Sequence, residues 1–538
     1  MSGSVKAAGV VAVAVAGSRV FGLFRELVMA WLFGAGRQFD AFLAAFQIPN
    51  LLRDLFAEGA LSTSFTTVFT QTSEKEGAAR SWQLAARLVS TTILLLAGIC
   101  LLGILLSPWI VALTNPGFHN VPGKFELTVG LTRVLFPFIM AVSLAAVAMG
   151  ILNSRHIFGL PASASTMFNI VSVVCGVGLA FLLDPQADWR HPRFGDRGMY
   201  GVALGVLLGG LAQLAVQLPS LWREGFRWRW ELAWRDPGLR RVWRLMVPSV
   251  MAGAAVQINV LVNGIFAAEI NGGRSWLAYA FRLFQFPLGV FGVAIATVTL
   301  PAVARHFARG ERVEFGRTVE DALRLALFLA LPAAAGLVAL APDLIGVIYQ
   351  HGRFTDSDTL KTAWALRAYT VGLAGYAVIK VLTPCFYALD QPKIPLRVSL
   401  LGVGVNLAVN IVLVKVLGWG HVGLALSTGI LASVNGAQLL LAIRRQVSLG
   451  GRDVWIRFLA ITLLGTLVCG AVAWTGGVAL RAALGDGLAA RLVSVGVAVA
   501  AGALSYGAVA NAARLPEMTR ILGGIRRHMA GAPRASLP

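Results

Sequence analysis

Charge is what this chain has least of. Only 13% of its 538 residues are Asp, Glu, Lys or Arg, against 57% apolar, where soluble domains carry roughly a quarter charged residues. With a mean hydropathy of +0.73, a water-soluble globular protein is excluded. Cysteine is also scarce. Cys100, Cys175, Cys385 and Cys469 lie inside apolar runs with no CxxC spacing, so neither a disulfide framework nor a zinc site is expected. The seven histidines are scattered singly, and HExxH, GxSxG and GxxxxGK[ST] are missing. Hydrolase and nucleotide-driven chemistry thus lose their usual signatures, and a membrane-embedded enzyme acting on a lipid-linked sugar through Asp40 or Asp54 and a metal lacks the paired acids or histidines it would need. Acid is short relative to base, 25 residues against 46, for a net charge of +21. The basic residues crowd loops between apolar runs rather than forming a nucleic-acid stripe, so no nucleic-acid partner is expected.

What remains is a long series of apolar runs. A hydrocarbon core about 30 Å thick takes ~20 helical residues per crossing, and about fourteen windows of that kind can be drawn. The first covers 5–33, the second 39–69, the eighth 279–304, and the last two 458–480 and 491–512. A reading of residues 5–17 as a cleavable leader is disfavoured, because the same helix continues into Arg19 and Arg25. Lys and Arg concentrate in the loops on the N-terminal side, seven of them in 222–244 alone. That asymmetry predicts a multi-pass membrane protein with both termini in the cytoplasm and an even number of crossings. The 222–244 loop mixes Arg with Trp, as a segment lying on anionic lipid does.

This loop also marks a midpoint. Residues 201–224 laid on 423–446 give six identities in 24 positions, and a Pro-bearing linker (Pro161, Pro395) followed by an Asn-bearing helix (Asn169, Asn406) recurs in each half. The expected fold is therefore all-α and polytopic: a six-helix lobe over 1–225, a second over 226–446, a substrate site at their interface, and a final helix pair with a tail over 447–538. That pair could serve as plain packing or as a lipid-facing groove.

A charged side chain near the bilayer centre costs ~2.5–3.5 kcal/mol, so each one that persists points to a cavity or a partner. Here they cluster. The first window holds Ser18, Arg19, Arg25 and Glu26, the second Asp40, Asn50, Arg53, Asp54 and Glu58, the eighth Arg282, and the tenth Lys380. At about 100° per residue, Asp40, Gln47, Asp54 and Glu58 share one face of the second helix, which should then be wet. Pro49 should bend that helix and Gly22 loosen the first. Arg19, Arg25 and Arg53 could neutralise Glu26, Asp54 and Glu58 as structural ion pairs. Arg282, whose helix neighbours are Phe281 and Gln285, fits that account less well and suits an external anion. Arginines converging on one site read phosphate or pyrophosphate better than a cationic drug.

The stretch SRVFGLFRELVMAWLFGAGRQFDAFLAAFQIPNLLRDLFAEGALSTSF (18–65) resembles the N-terminal signature of the MurJ (MviN) lipid II flippases, of the multidrug/oligosaccharidyl-lipid/polysaccharide exporter superfamily. The resemblance continues through SWLAYAFRLFQFPLGVFGVAIATVTLPAVARHFARG (275–310) and VIKVLTPCFYALDQPKIP (378–395). It implies a twelve-helix core around a cationic cavity, and a final helix pair forming a groove for the undecaprenyl tail. By motif match it places the substrate contacts on Arg19, Arg25, Arg53, Arg282, Asp40, Asn50, Glu58 and Ser275. Glu26 and Gln285 depart from the pattern, standing where relatives are expected to carry Asp and a carboxylate. Asn406 and Asn410 stand where some relatives bind sodium, with amides in place of a carboxylate.

The resemblance implies a transporter without a catalytic step or a resident cofactor or metal. Lipid II and the surrounding lipids of the bacterial cytoplasmic membrane are its implied partners, and coupling to the membrane potential, Na+ or H+ is left open as its energy source. The rival readings on the same fold are a multidrug or metabolite antiporter and an exporter of another polyprenyl-linked oligosaccharide.

Overall fold

The computed structural model describes residues 2–56, 61–188 and 194–529, and every regular element among them is helical. Among the described residues nine helices are long and apolar enough to cross a membrane, and two further pairs, bent by 53° and 48°, raise the number to eleven. The expected count of fourteen is therefore not reached on length and composition. The three windows outside this set also hold helix among their described residues: α1 (Ser2–Phe33), α2 (Arg37–Phe56), which carries Asp40, Arg53 and Asp54, and a pair interrupted after Pro287. Pro49 sits inside α2 without ending it.

The chain forms two compact units, one of residues 1–275 with 349–355, the other of 276–348 with 356–538. In the first, α1 and α2 are followed by α3 (Ser62–Glu76), α4 (Ala78–Leu105), α5 (Lys124–Ser154), α6 (Gly159–Leu183), α7 (Asp196–Arg223) and α8 (Pro237–Ala268). Apolar burial cannot drive helix association inside lipid, so close backbone approach must contribute. The α6–α7 pair meets that need through Gly201, Gly205 and Gly209. A Cβ at Gly205 would lie 2.3 Å from Gly176 Cα, and one at Gly201 2.3 Å from the Ala180 nitrogen. At one end of this unit Phe65, Phe69, Trp82 and Phe226 pack as an aromatic core.

The second unit takes in most of α9 (Gly273–Pro287), then α10 (Val293–Ala308), α11 (Arg312–Ala339), α12 (Asp356–Thr370), α13 (Leu373–Ala388), α14 (Lys393–Asn410) and α15 (Gly420–Arg444). Here α13 and α15 repeat the small-residue solution, with Gly375 against Ala432 and Gly436. The final pair, α16 (Arg452–Leu484) and α17 (Leu488–Ala512), packs on α11. Tyr506 donates to the Phe328 carbonyl at 2.8 Å, and Leu340, Ala473 and Ala498 form a buried cluster. Its other face leaves Leu464, Leu467, Trp474 and Leu504 exposed. A short amphipathic helix, α18 (Pro516–Met529), follows, with Glu517 of its first turn paired to Arg324 at 2.7 Å.

Candidate functional site

The polar stripe of α2 exists, and it faces protein over most of its length. Asp40, at its start, is completely buried. Its Oδ1 accepts from the Ser275 backbone nitrogen at 2.9 Å and from the Ser275 hydroxyl at 2.6 Å. Its Oδ2 accepts from the Gly272 nitrogen at 2.7 Å and from Lys124 Nζ at 2.8 Å. A helix leaves its first N–H groups without intrahelical partners, and its N-terminus favours negative charge. Asp40 supplies both remedies to the start of α9 from a different helix. Lys124 also donates to Asn271 at 3.2 Å and lies 4.3 Å from the centre of the Phe118 ring, so its ammonium is satisfied without water.

Seven residues on, Gln47 bridges two elements. Its amide donates to the Val260 carbonyl at 3.1 Å, and its oxygen accepts from Arg274 at 2.6 Å. Arg274 is buried and donates as well to the carbonyls of Gly264 at 2.7 Å and Thr114 at 3.4 Å. The contact depends on Gly264, where a Cβ would fall 2.6 Å from the Gln47 nitrogen. Seven further, Asp54 accepts from Arg53 at 2.8 Å, Asn50 at 3.4 Å and Gln257 at 3.3 Å. The Arg53 and Asp54 side chains remain about a quarter exposed, at 23% and 26%. The stripe is thus dry at the Asp40 end and open at the Asp54 end, a correction to the expectation that one whole face would be wet.

The same end of this unit has a second polar cluster. Arg37 pairs with Asp196 and donates to the Pro122 carbonyl at 3.2 Å. Gln38 donates to the Phe194 carbonyl at 2.9 Å, and Arg353 donates to that carbonyl and to Gln38, both at 3.1 Å. Burial pushes the Arg353 guanidinium below its ordinary pKa. The 349–355 segment reaches α1 through backbone contact: Arg353 N–H donates to the Trp31 carbonyl at 3.0 Å, and Gly34 and Gly352 both take the left-handed conformation where no Cβ would fit. That requirement falls to glycine.

The expected site residues are therefore placed unevenly. Asp40 and Ser275 hold each other. Arg53 and Asn50 converge on Asp54, as an ion-pair account allows for Arg53. Arg25 stands 5.4 Å from the Phe168 ring centre, and Arg19 is exposed on α1. Glu58 lies outside the described residues. In the second unit, α9 buries Phe284 against Tyr369 and Tyr376 and leaves Arg282 and Gln285 on its exposed side. Arg282 has a contact of its own within the protein, so it does not stand alone as its helix neighbours suggested. Asn406 and Asn410 are fully buried and meet Ser427. No group of three or more His, Cys, Asp or Glu suited to a metal occurs among the described residues.

Sequence reasoning missed Lys124, Arg274 and Gln257. Their signal was indirect: an aspartate buried in an apolar helix requires a cation, but which one is decided only when distant helices meet.

Comparison with known proteins agrees with this architecture. The profile of the family described as lipid II flippase MurJ matches residues 29–489. A probable lipid II flippase MurJ of Vibrio cholerae serotype O1 is 35% identical over 470 residues, covering 85% of this chain and 86% of the relative. The lipid II flippase MurJ of Burkholderia cenocepacia is 33% identical over 464 residues, 85% of this chain and 87% of its own. In fold, the chain is similar to a solved lipid II flippase MurJ in an inward closed conformation, with a TM-score of 0.77 at 24% identity over 93% of this chain and 98% of that one. A multidrug resistance MATE family transporter in an inward-facing conformation follows at 0.65 and 15% identity, over 80% and 94%. The chain is a multi-span membrane protein and belongs to the lipid II flippase MurJ family.

Proposed function

We propose that this protein moves lipid II, the undecaprenyl-pyrophosphate-linked peptidoglycan precursor, from the cytoplasmic to the periplasmic leaflet of the bacterial inner membrane by alternating access. The observation that carries this reading is the α2 stripe within a chain of this family: a charged helix satisfied by protein donors at one end and partly open at the other. Arg19, Arg25 and Arg53 in the first unit, and Arg282 in the second, are the groups we assign to the diphosphate as it passes. Guanidinium stays protonated when partly desolvated and reads phosphate bidentately. Asn50 and Glu58 belong to the same polar path. Asp40 and Ser275 act as a latch that fixes the start of α9, and so position rather than touch the substrate.

No bond is made or broken in this cycle. The polyprenyl tail stays in lipid along the exposed apolar face of α16 and α17, which avoids hydrating a long hydrocarbon chain. Both termini lie in the cytoplasm, in keeping with the bias of Lys and Arg among the loops. An interior-negative potential of about 100 mV supplies ~2.3 kcal/mol per charge. It favours outward movement of an anionic headgroup and inward return of the emptied cationic path, so the potential, alone or with Na+ or H+, drives the cycle.

The test is leaflet-specific detection of lipid II in cells depleted of this protein. Accumulation in the inner leaflet is the expected result. An unchanged leaflet distribution, with no other flippase present, overturns the proposal.

A further inference from the structure

Between α7 and α8 the chain leaves helix after Arg223, turns at Glu224 and Gly225, and runs as a non-helical strap over residues 226–233. It is fastened to α4. Ser90, fully buried, accepts from Trp228 Nε1 at 3.3 Å and from the Glu231 backbone at 3.2 Å. Glu231 is held by Arg87 at 3.2 Å and Gln83 at 3.3 Å. Asp236 then caps α8, accepting from the Gly238 and Leu239 nitrogens, and pairs with Arg80 and Arg87. This scaffold gives the strap two different faces. Arg227, Arg229 and Glu231 line a recess of about 560 Å³ over α4. Trp228, Trp230 and Leu232, at the alternate positions, are exposed, at 48%, 53% and 42%.

The charges in the recess do not balance within the protein. Arg80 and Arg87 of this cluster are shared among three acids, Glu76, Glu231 and Asp236, so with Arg227 and Arg229 four arginines stand against three carboxylates, a surplus of one positive charge. Arg227 donates only to the backbone carbonyls of Trp222 and Phe226, and Arg229 has no carboxylate partner among the described residues. Two guanidiniums without a carboxylate partner thus face an open, polar recess that is one negative charge short of balance, the charge of a single phosphodiester, next to tryptophans that favour the boundary between headgroup and acyl chain. The 222–244 loop adds five further arginines to the same region, and basic clusters beside a membrane span attract anionic lipid.

We infer that the strap and its recess form a binding site for an anionic phospholipid, with the phosphodiester between Arg227 and Arg229 and with Trp228 and Trp230 among the acyl chains. The site is separate from the α2 stripe and does not rest on the transport reading.

Native mass spectrometry of the full chain, titrated side by side with phosphatidylglycerol and phosphatidylcholine, tests it. The unmodified protein retains phosphatidylglycerol preferentially, and R227Q/R229Q loses that preference by roughly fivefold per arginine. R317Q, which removes an exposed arginine paired to Glu314 in the other unit, leaves retention unchanged. On the unmodified protein, raised ionic strength weakens phosphatidylglycerol retention and spares phosphatidylcholine. Equal retention of the two lipids, retention unaffected by R227Q/R229Q, or insensitivity to salt each overturns the proposal. Full displacement by inorganic phosphate at equal concentration overturns it too, by assigning the recess to a free anion.

Discussion

Replacing Asp40 by Asn tests the latch most directly, because it changes charge and hydrogen bonding while preserving shape. The native carboxylate accepts four hydrogen bonds, two at each oxygen, all from protein donors. An amide has one accepting oxygen, so its nitrogen must face either the Ser275 pair or the Gly272 and Lys124 pair, donor against donor. Lys124 also loses its counter-charge in a site where its side chain is 1% exposed. Stripping one partner from a buried ion pair costs about 3–5 kcal/mol. D40N should therefore lower the thermal stability of the detergent-purified protein by an amount that added salt does not alter, since buried pairs are poorly screened.

The double variant D40N/K124M removes the stranded ammonium and should recover part of the loss, so the two costs are less than additive by about 1–3 kcal/mol. S275A should cost only about 1 kcal/mol, because the Ser275 backbone N–H still reaches Asp40. Wild-type stability in D40N, or strict additivity in the double variant, would refute the assignment of Asp40 as a buried latch.

Other substitutions probe the rest of the structure. Arg282→Ala should abolish lipid II flipping with the protein still folded in the membrane, since Arg282 is exposed; growth of cells in which this variant is the sole flippase would count against it. Gly205→Ala places a Cβ 2.3 Å from the backbone of the neighbouring helix and should destabilise by about 1–3 kcal/mol, whereas Gly178→Ala, with nothing within 4 Å, should be neutral by the same melting assay. Burial raises the Asp236 carboxyl, but hydrogen bonds from Arg80, Leu239 N–H and Arg87 outweigh it and hold the pKa below its ordinary value. A depressed carboxyl contributes stability above its unfolded pKa, about 3.9, and loses it as pH falls through the folded value. D236N should thus be destabilised at neutral pH, and its gap from wild type should narrow below about pH 4 in a pH series of unfolding curves.

Part of the site was legible because polar residues inside apolar helices are costly. That cost singled out Asp40, Asn50, Arg53 and Arg282, and the seven-residue spacing, two helical turns, put Asp40, Gln47 and Asp54 on one face by periodicity alone. Their partners were not legible. Lys124 sits in a polar turn and Arg274 follows two glycines, positions where a basic residue ordinarily meets water or headgroups. Length and composition alone do not reproduce the count of fourteen: α2 carries three charged residues within its apolar window and α9–α10 is interrupted after Pro287, yet both regions are helical.

The sequence by itself determined the solvent this protein occupies, its helical class and the charges that lipid would not tolerate without a reason. Those follow from transfer free energies, which depend on residue type and local spacing. Only the tertiary structure decided which charges are spent on the protein itself. Asp40 is matched by Lys124 and by the start of α9, hundreds of residues apart in one case, while Arg227 and Arg229 are left facing an open recess. Pairing is a property of distances between helices, and no local pattern along the chain encodes them.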